Sequence, residues 1–282
     1  MISRLRNYLL DLRDRQRIAI ALARGGATMH RRMIDTTKPS TWEFSGFSQN
    51  GEDGILDVLR AHLRSSNRYF LEIGAAEGIE NNTAWLAIAE KYDGMMIEGS
   101  ANRSERARRM IAGFNIGVEC VNLFVTPGVA ERVANSVLYS DPDVLSLDID
   151  GNDYYVAQAL FDAGLRPKIL VVEYNSAFGP ERSATIEYQE RFDFRSAHPT
   201  QLYYGVSIAG WRNSLSKRGY RFVTVERNGV NAFFIDPAHF DEEFVERLQG
   251  ETFAENHYQL MKFRAKSEEQ FALISSMKFV PV

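Results

Sequence analysis

Tyr69-Phe70-Leu71-Glu72-Ile73-Gly74-Ala75-Ala76-Glu77-Gly78 is the stretch on which the fold turns. A short run dominated by aromatic and apolar residues ends on glycine, and a helical segment follows Glu80-Asn81-Asn82. A strand that breaks on a glycine turn and passes into a helix is the repeating unit of a parallel sheet with helices on its faces. Gly74 lets the backbone turn sharply at the carboxyl end of the strand, and Gly78 leaves room for a ligand to approach the main chain. Glu72 is placed to accept a hydrogen bond from a ligand ammonium group or to orient a bridging water. With Ala75 these residues form a candidate binding loop.

The same alternation continues on both sides. Strands are expected at Gly94 to Ile97, Ile116 to Leu123, Val144 to Leu147 and Ile169 to Glu173. Helices are expected at Gly51 to Leu63, Thr83 to Lys91, Asn102 to Ala112, Gly128 to Asn135 and Tyr154 to Ala163. Arg221 to Glu226 and Asn231 to Ile235 flank Asn228-Gly229, a strong hairpin signal, so the sheet should end in an antiparallel pair. The pattern defines an α/β, Rossmann-like chain. It divides into an N-terminal basic amphipathic helix and linker (1–40), a central α/β domain (41–240) and a C-terminal helical tail (241–282).

Composition narrows the function classes. The 282 residues are 45% hydrophobic and 25% charged, ordinary for a globular enzyme. A formal charge of -4 and a pI near 5.8 argue against holding nucleic acid through its phosphates, which needs a basic face. Cys120 is the single cysteine, which excludes an internal disulfide framework and a thiolate-rich zinc site. Its place in a strand suggests a buried, inert thiol in a reducing cytoplasm. No apolar stretch is long enough to span a bilayer, and the amino-terminal region carries arginines instead of an apolar signal core. Ile2, Leu5, Leu9, Leu12, Ile18, Ile20 and Leu22 recur at helical spacing among Arg4, Arg6, Arg13, Arg15, Arg17 and Arg24. That helix suits packing on its own domain, on a second copy in a homo-oligomer, or on a membrane surface or partner. Gly25-Gly26 should end it, and the polar run from Asp35 to Thr41 reads as a linker.

Glu98 closes the second strand, where a carboxylate can take both hydroxyls of a ribose. The dinucleotide fingerprint GxGxxG is broken by Ala76, so a pyrophosphate cradle is missing and a nucleoside without phosphates is favoured. Phe47-Ser48-Gln49-Asn50-Gly51-Glu52-Asp53-Gly54 is dense in amides, carboxylates and glycine. A helix cap accounts for part of it, and Gln49 or Glu52 can face the ligand. Asp148, Asp150, Asn152 and Asp153 follow the fourth strand, and Glu173 and Asn175 end the fifth. Adjacent strand ends open into one crevice, so these oxygens could gather around Mg2+ or another hard divalent cation. A turn and helix cap at Asp150 and Asn152 is the alternative that needs no metal.

From about Phe47 to Ile235 the chain resembles the FkbM-like class I S-adenosylmethionine-dependent methyltransferases. The resemblance rests on Phe70 to Ala75, on Ser146-Leu147-Asp148-Ile149-Asp150-Gly151-Asn152-Asp153-Tyr154, on Val172-Glu173-Tyr174-Asn175 and on Gly229-Val230-Asn231-Ala232-Phe233-Phe234. It implies the class I methyltransferase fold, in which parallel strands are closed by a hairpin. It also implies S-adenosylmethionine as methyl donor, bound by Gln49, Glu52, Glu72, Gly74, Ala75, Gly78, Glu98 and Asp148. The implied acceptor is a hydroxyl of a sugar, nucleotide-sugar or glycan. The acid layout is similar to metal-dependent O-methyltransferases, which would make Asp148, Glu173 and Asn175 ligands with Asp150 a fourth. Here Tyr174 separates two of those ligands, and no lysine or histidine closely follows Asp148. Asp150 is therefore the first candidate base and His198 the second. A nicotinamide-dependent oxidoreductase on the same topology, or a cofactor-binding scaffold subunit without activity, are the competing readings. The aromatic stretch from Ser176 to Trp211 should be core or cover the acceptor.

Overall fold

The computed structural model describes residues 2–282, the side chains of residues 2–7 and 9 excepted. The elements run α1 (Ile2–Met29), α2 (Glu52–Ala61), β1 (Tyr69–Ile73), α3 (Ala84–Ile88), β2 (Asp93–Glu98), α4 (Ala101–Ala112), β3 (Val118–Asn122), α5 (Ala130–Ser136), β4 (Val144–Leu147), α6 (Asp153–Asp162) and β5 (Ile169–Glu173). They continue as β6 (Ala184–Ile186), α7 (Phe194–Ala197), α8 (Ile208–Lys217), β7 (Arg221–Val225), β8 (Asn231–Ile235), α9 (Glu242–Glu246), α10 (His257–Phe263), α11 (Ser267–Ala272) and β9 (Phe279–Pro281).

Seven strands form one sheet in the order β3-β2-β1-β4-β5-β8-β7. The first five pair in parallel, and β8 is antiparallel to both β5 and β7. This is the Rossmann-like sheet with a terminal antiparallel pair expected from the alternation of apolar runs. Every residue of β1, β4, β5 and β8 is buried, because helices cover both faces. Along β5, Ile169 and Val171 pack with α2 and α3, while Leu170 and Val172 pack with α6 and α8. Each such buried aliphatic side chain stabilises the fold by about 1.5–3 kcal/mol relative to exposure. Strand order reverses between β1 and β4, which opens a crevice above their carboxyl ends.

At the opposite, amino-terminal ends of the strands, Lys168 Nζ lies 2.9 Å from Asp143 Oδ1. Asp143 also accepts from the backbone amides of Asn67 and Arg68. That buried pair ties the entries of β1, β4 and β5 together. β6 and β9 form a separate antiparallel ladder that joins the carboxyl terminus to the segment after β5.

Several boundaries move. The helix expected from Thr83 to Lys91 is only Ala84–Ile88, and the one expected from Gly128 opens as a 3-10 turn at Pro127–Val129 before α5. Ile116 lies outside β3 and is 95% exposed. α1 does not stop at Gly25-Gly26 but continues to Met29. A Cβ at Gly25 would lie 2.3 Å from the Trp85 ring, so glycine there allows α1 to approach α3 closely. Asp14, Ile18, Ala21 and Gly25 make one buried stripe at helical spacing. Asp14 accepts two hydrogen bonds from Arg106 of α4, at 2.8 and 2.6 Å, and Arg17 pairs with Glu80. The helix thus packs on its own domain; the part of its pattern carried by Ile2, Arg4, Leu5, Arg6 and Leu9 lies outside the described side chains. The expected linker is built onto the domain as well, with Trp42 Nε1 donating to the Asp35 carbonyl at 2.7 Å. Among the described residues no helix is long and apolar enough to cross a membrane.

Candidate functional site

A cavity of about 850 Å3 lies above the carboxyl ends of β1, β2, β4 and β5. Its floor begins at Gly74, whose φ is +95°. A Cβ there would sit 1.7 Å from the Asp148 carbonyl oxygen, so this glycine is required by the approach of the β4 loop. The turn delivers the Ala76 amide to Glu98 Oε2 at 2.9 Å, and the Ser100 amide reaches Glu98 Oε1 at 2.7 Å. Both carboxylate oxygens are held in place on the cavity wall. A carboxylate accepts about four hydrogen bonds, so each oxygen keeps capacity for a hydroxyl.

Residues of the expected binding loop take different positions. Glu72 is buried yet lines the cavity, and it accepts from the Thr83 hydroxyl and from the Asn82 amide at 3.1 Å. Burial pushes its carboxyl up to about 7, against those hydrogen bonds. Those bonds pin the β1–α3 loop while the carboxyl stays on the cavity lining. Gly78 faces α4, where an added Cβ would meet Ala107 at 3.1 Å, so no ligand space opens beside it. Ala75 is fully buried, and Ala76 takes the cavity wall.

Gln49 and Glu52 both line the cavity. Glu52 Oε1 accepts from Asn231 at 2.8 Å and from the Asn50 side chain at 2.9 Å, while Oε2 accepts from the Asn50 amide at 2.9 Å. Asn231 stands opposite Glu173 in the β5–β8 register, which brings the segment before α2 and the hairpin to one wall.

Asp148, Asp150 and Glu173 converge, each offering an oxygen within 4.8 Å of the others. Glu173 is 8% exposed, and its Oε2 has no hydrogen-bond partner among the described residues. Desolvation first, then the neighbouring acids, pushes Asp148 and Glu173 well above the usual carboxylate range. Asp150 is raised by burial and held back by the positive charges of Arg195 and Arg103. Its φ of +56° is unusual for a residue with a Cβ, a strained placement of the kind that clusters at functional sites. The turn is closed by Asp153, which accepts from the Ile149 and Gly151 amides at 2.9 and 2.8 Å. Asp153, and not Asp150 with Asn152, therefore organises the start of α6, and Asp150 remains at the cavity.

Asn175 does not join the cluster. Its Nδ2 donates to the carbonyls of Leu202 and Tyr204 at 2.7 and 3.0 Å, and its Oδ1 accepts from the Ala177 amide at 3.0 Å. These bonds hold the chain after β5, and the side chain is fully buried outside the cavity lining. His198 is also elsewhere: it bonds Thr200 Oγ1 at 2.8 Å and does not line the cavity, so it cannot take a proton there. Cys120 is half-buried on β3, with burial pushing its thiol up to about 11.

The cavity also uses residues that carry no motif. Asn81, Arg103, Phe124, Phe192, Asn228 and the trio Asn256-His257-Tyr258 all line it. Asn81 and Asn228 were visible as turn residues. The trio lies in the tail after β8, and only the tertiary fold brings it to the site. Phe192 covers Gly151, where a Cβ would come within 2.3 Å of its ring, so the aromatic segment after β5 does cover one end of the crevice.

No protein-family model and no curated protein matches the chain. Among solved structures it is similar to an O-methyltransferase from Bacillus cereus in complex with SAH, at 15% identity over 78% of this chain and 89% of that one, TM-score 0.44. It is also similar to the O-methyltransferase TomG from Streptomyces achromogenes, involved in tomaymycin synthesis, in complex with SAM, at 18% identity over 64% and 75%, TM-score 0.41. A third is a SAM-dependent methyltransferase from Thiobacillus denitrificans in complex with S-adenosyl-L-homocysteine, at 16% identity over 60% and 64%, TM-score 0.36. The fold assignment rests on the strand order and registers given above.

Proposed function

We propose that the chain is an S-adenosylmethionine-dependent O-methyltransferase whose acceptor is a hydroxyl of a sugar or glycan, with a divalent cation at the acid cluster. The observation that carries this reading is Glu98: a carboxylate fixed by two backbone amides at the tip of β2, on the wall of a cavity whose glycine loop departs from the dinucleotide fingerprint at Ala76. That arrangement fits a ribose diol on a phosphate-free nucleoside. Glu52 and the unpartnered Asn231 Oδ1 offer acceptors to the amino group of a methionine moiety, the part first expected of Glu72. Bound in this cavity, S-adenosylmethionine would supply a methyl group on a sulfonium, open to in-line displacement.

The remaining work falls to the protein. It must align the acceptor oxygen and take its proton. Asp150 is the cavity carboxylate nearest solvent among the three and is the group we assign as base. The unpartnered Oε2 of Glu173, beside Asp148 and Asp150, fits an Mg2+-like cation, because converging carboxylates are costly to bury and the positive charges of Arg195 and Arg103 act on Asp150 alone of the three. Such a cation would lower the pKa of a bound hydroxyl.

The test is transfer of labelled methyl from S-adenosylmethionine to a panel of nucleotide sugars and glycan extracts, with and without chelator. Transfer lost on chelation and restored by Mg2+ supports the cation; transfer that survives chelation removes it and leaves Asp150 alone. Failure of S-adenosylhomocysteine to bind the folded protein in calorimetry would overturn the whole reading, and NADH binding in its place would favour an oxidoreductase.

A further inference from the structure

We propose that Tyr258, in the segment after β8, is the platform on which the acceptor's sugar ring stacks, and that this C-terminal segment selects the acceptor. The inference rests on the methyl-transfer reading and deepens it.

Asn256, His257 and Tyr258 line the cavity although they lie more than twenty residues beyond β8 in the chain. Their backbone is tightly held. The Asn256 amide donates to Ser176 Oγ at 2.8 Å, and the His257 amide donates to the Asn228 carbonyl at 2.9 Å. Asn256 Oδ1 accepts from the Gln259 amide at 3.1 Å, and the buried Gln259 side chain donates to the Tyr204 hydroxyl at 3.1 Å. These contacts anchor the turn to the chain after β5 and to the hairpin, the two elements that carry Glu173 and Asn231.

On that rigid support the Tyr258 ring is 71% exposed. Lys262 Nζ lies over the ring 5.9 Å from its centroid, and most of the side chain stays open to solvent. A large aromatic ring held in water at the rim of a polar cavity is stabilised when a ligand covers it. The same cavity wall carries Gln49, Asn228, Asn231 and Asp150, planar amides and a carboxylate suited to hydroxyl groups. Among the described residues Arg103 is the one arginine or lysine lining the cavity, too little positive charge for a polyanionic acceptor. A molecule with apolar C–H faces and hydroxyl edges matches this combination, and a neutral pyranose is that molecule. A flat aromatic acceptor would call for apolar walls on both sides.

Saturation-transfer NMR on the protein loaded with S-adenosylhomocysteine tests this, with methyl glucopyranoside, mannopyranoside and galactopyranoside as probes. Wild type and Tyr258→Trp should saturate the ring C–H protons of at least one probe. Tyr258→Ala should lose at least fivefold of that signal while its S-adenosylhomocysteine affinity, read by calorimetry, stays within twofold. Equal signals from wild type and Tyr258→Ala, or no signal from wild type with the nucleoside bound, would overturn the platform. Absence of nucleoside binding would overturn the methyl-transfer reading itself, and the two failures are read on separate channels. Tyr258 supports no core contact, so its loss leaves the fold intact.

Discussion

Glu98 and Glu72 are two acids at the ends of neighbouring strands, and their surroundings assign them opposite tasks. Glu98 keeps its carboxylate on the cavity wall, clamped by the Ala76 and Ser100 amides. Glu98→Ala should therefore weaken S-adenosylhomocysteine binding by tenfold or more, about the 1.5–3 kcal/mol of a hydrogen bond to a charged group. Calorimetry checks it; binding within twofold of wild type would remove Glu98 from the site. Glu72 is buried and titrates at about 7, against 4.5 for the free side chain. A folded-state value above the unfolded one binds extra protons in the native state. Its contribution to stability is complete below about pH 4.5 and is lost as pH rises through 7. Glu226, also raised to about 7 chiefly by burial, acts in the same direction. Stability measured by urea unfolding should fall between pH 5.5 and 8, and Glu72→Gln should flatten that fall; an increase over this range contradicts the assignment.

Elements at the two ends of the chain are tied to the domain by buried contacts and a strand ladder. α1 carries Asp14, fully buried and held bidentately by Arg106 of α4. Removing one partner of such a pair leaves the other charge without compensation. Asp14→Asn should release α1, so that trypsin cuts at Arg13, Arg15 and Arg17 at least tenfold faster, while nucleoside affinity changes little. Unaltered proteolysis would show that the apolar stripe of Ile18, Ala21 and Gly25 holds the helix without the ion pair. At the other end, β9 pairs with β6 and the preceding turn reaches the cavity through Asn256 to Tyr258.

Across the whole molecule, the sheet separates stability from chemistry. The cavity acids Glu98, Asp148, Asp150 and Glu173 stand at the carboxyl ends of the strands, whereas at the amino ends a buried charge pair is matched. Lys168 is 3% exposed and Asp143 is fully buried, and their contact joins the starts of three strands. Lys168→Met alone should cost about 3 kcal/mol in urea unfolding because Asp143 would lose its counter-charge in the interior. Asp143→Asn added to it should cost less than Asp143→Asn by itself. A strictly additive cycle would show that the two groups do not act as a pair.

Local signals are enough to place the sheet, its hairpin and the positions where acids gather. Apolar periodicity and glycine turns are local signals, and strand ends in a parallel sheet necessarily share a crevice. The sequence also placed Glu98, Glu52, Asp148, Asp150 and Glu173 on that crevice. Which polar groups already have partners follows from long-range packing. Asn175 reads as a ligand group in sequence, yet the carbonyls of Leu202 and Tyr204, remote in the chain, take its amide hydrogens. Gly25 read as a helix stop until Trp85 was seen to fill the space beside it. Tyr258 carried no pattern at all. Whether a polar atom is free, and whether a glycine ends a helix or admits a neighbour, depends on what long-range packing brings within a few ångströms, and no local periodicity encodes that.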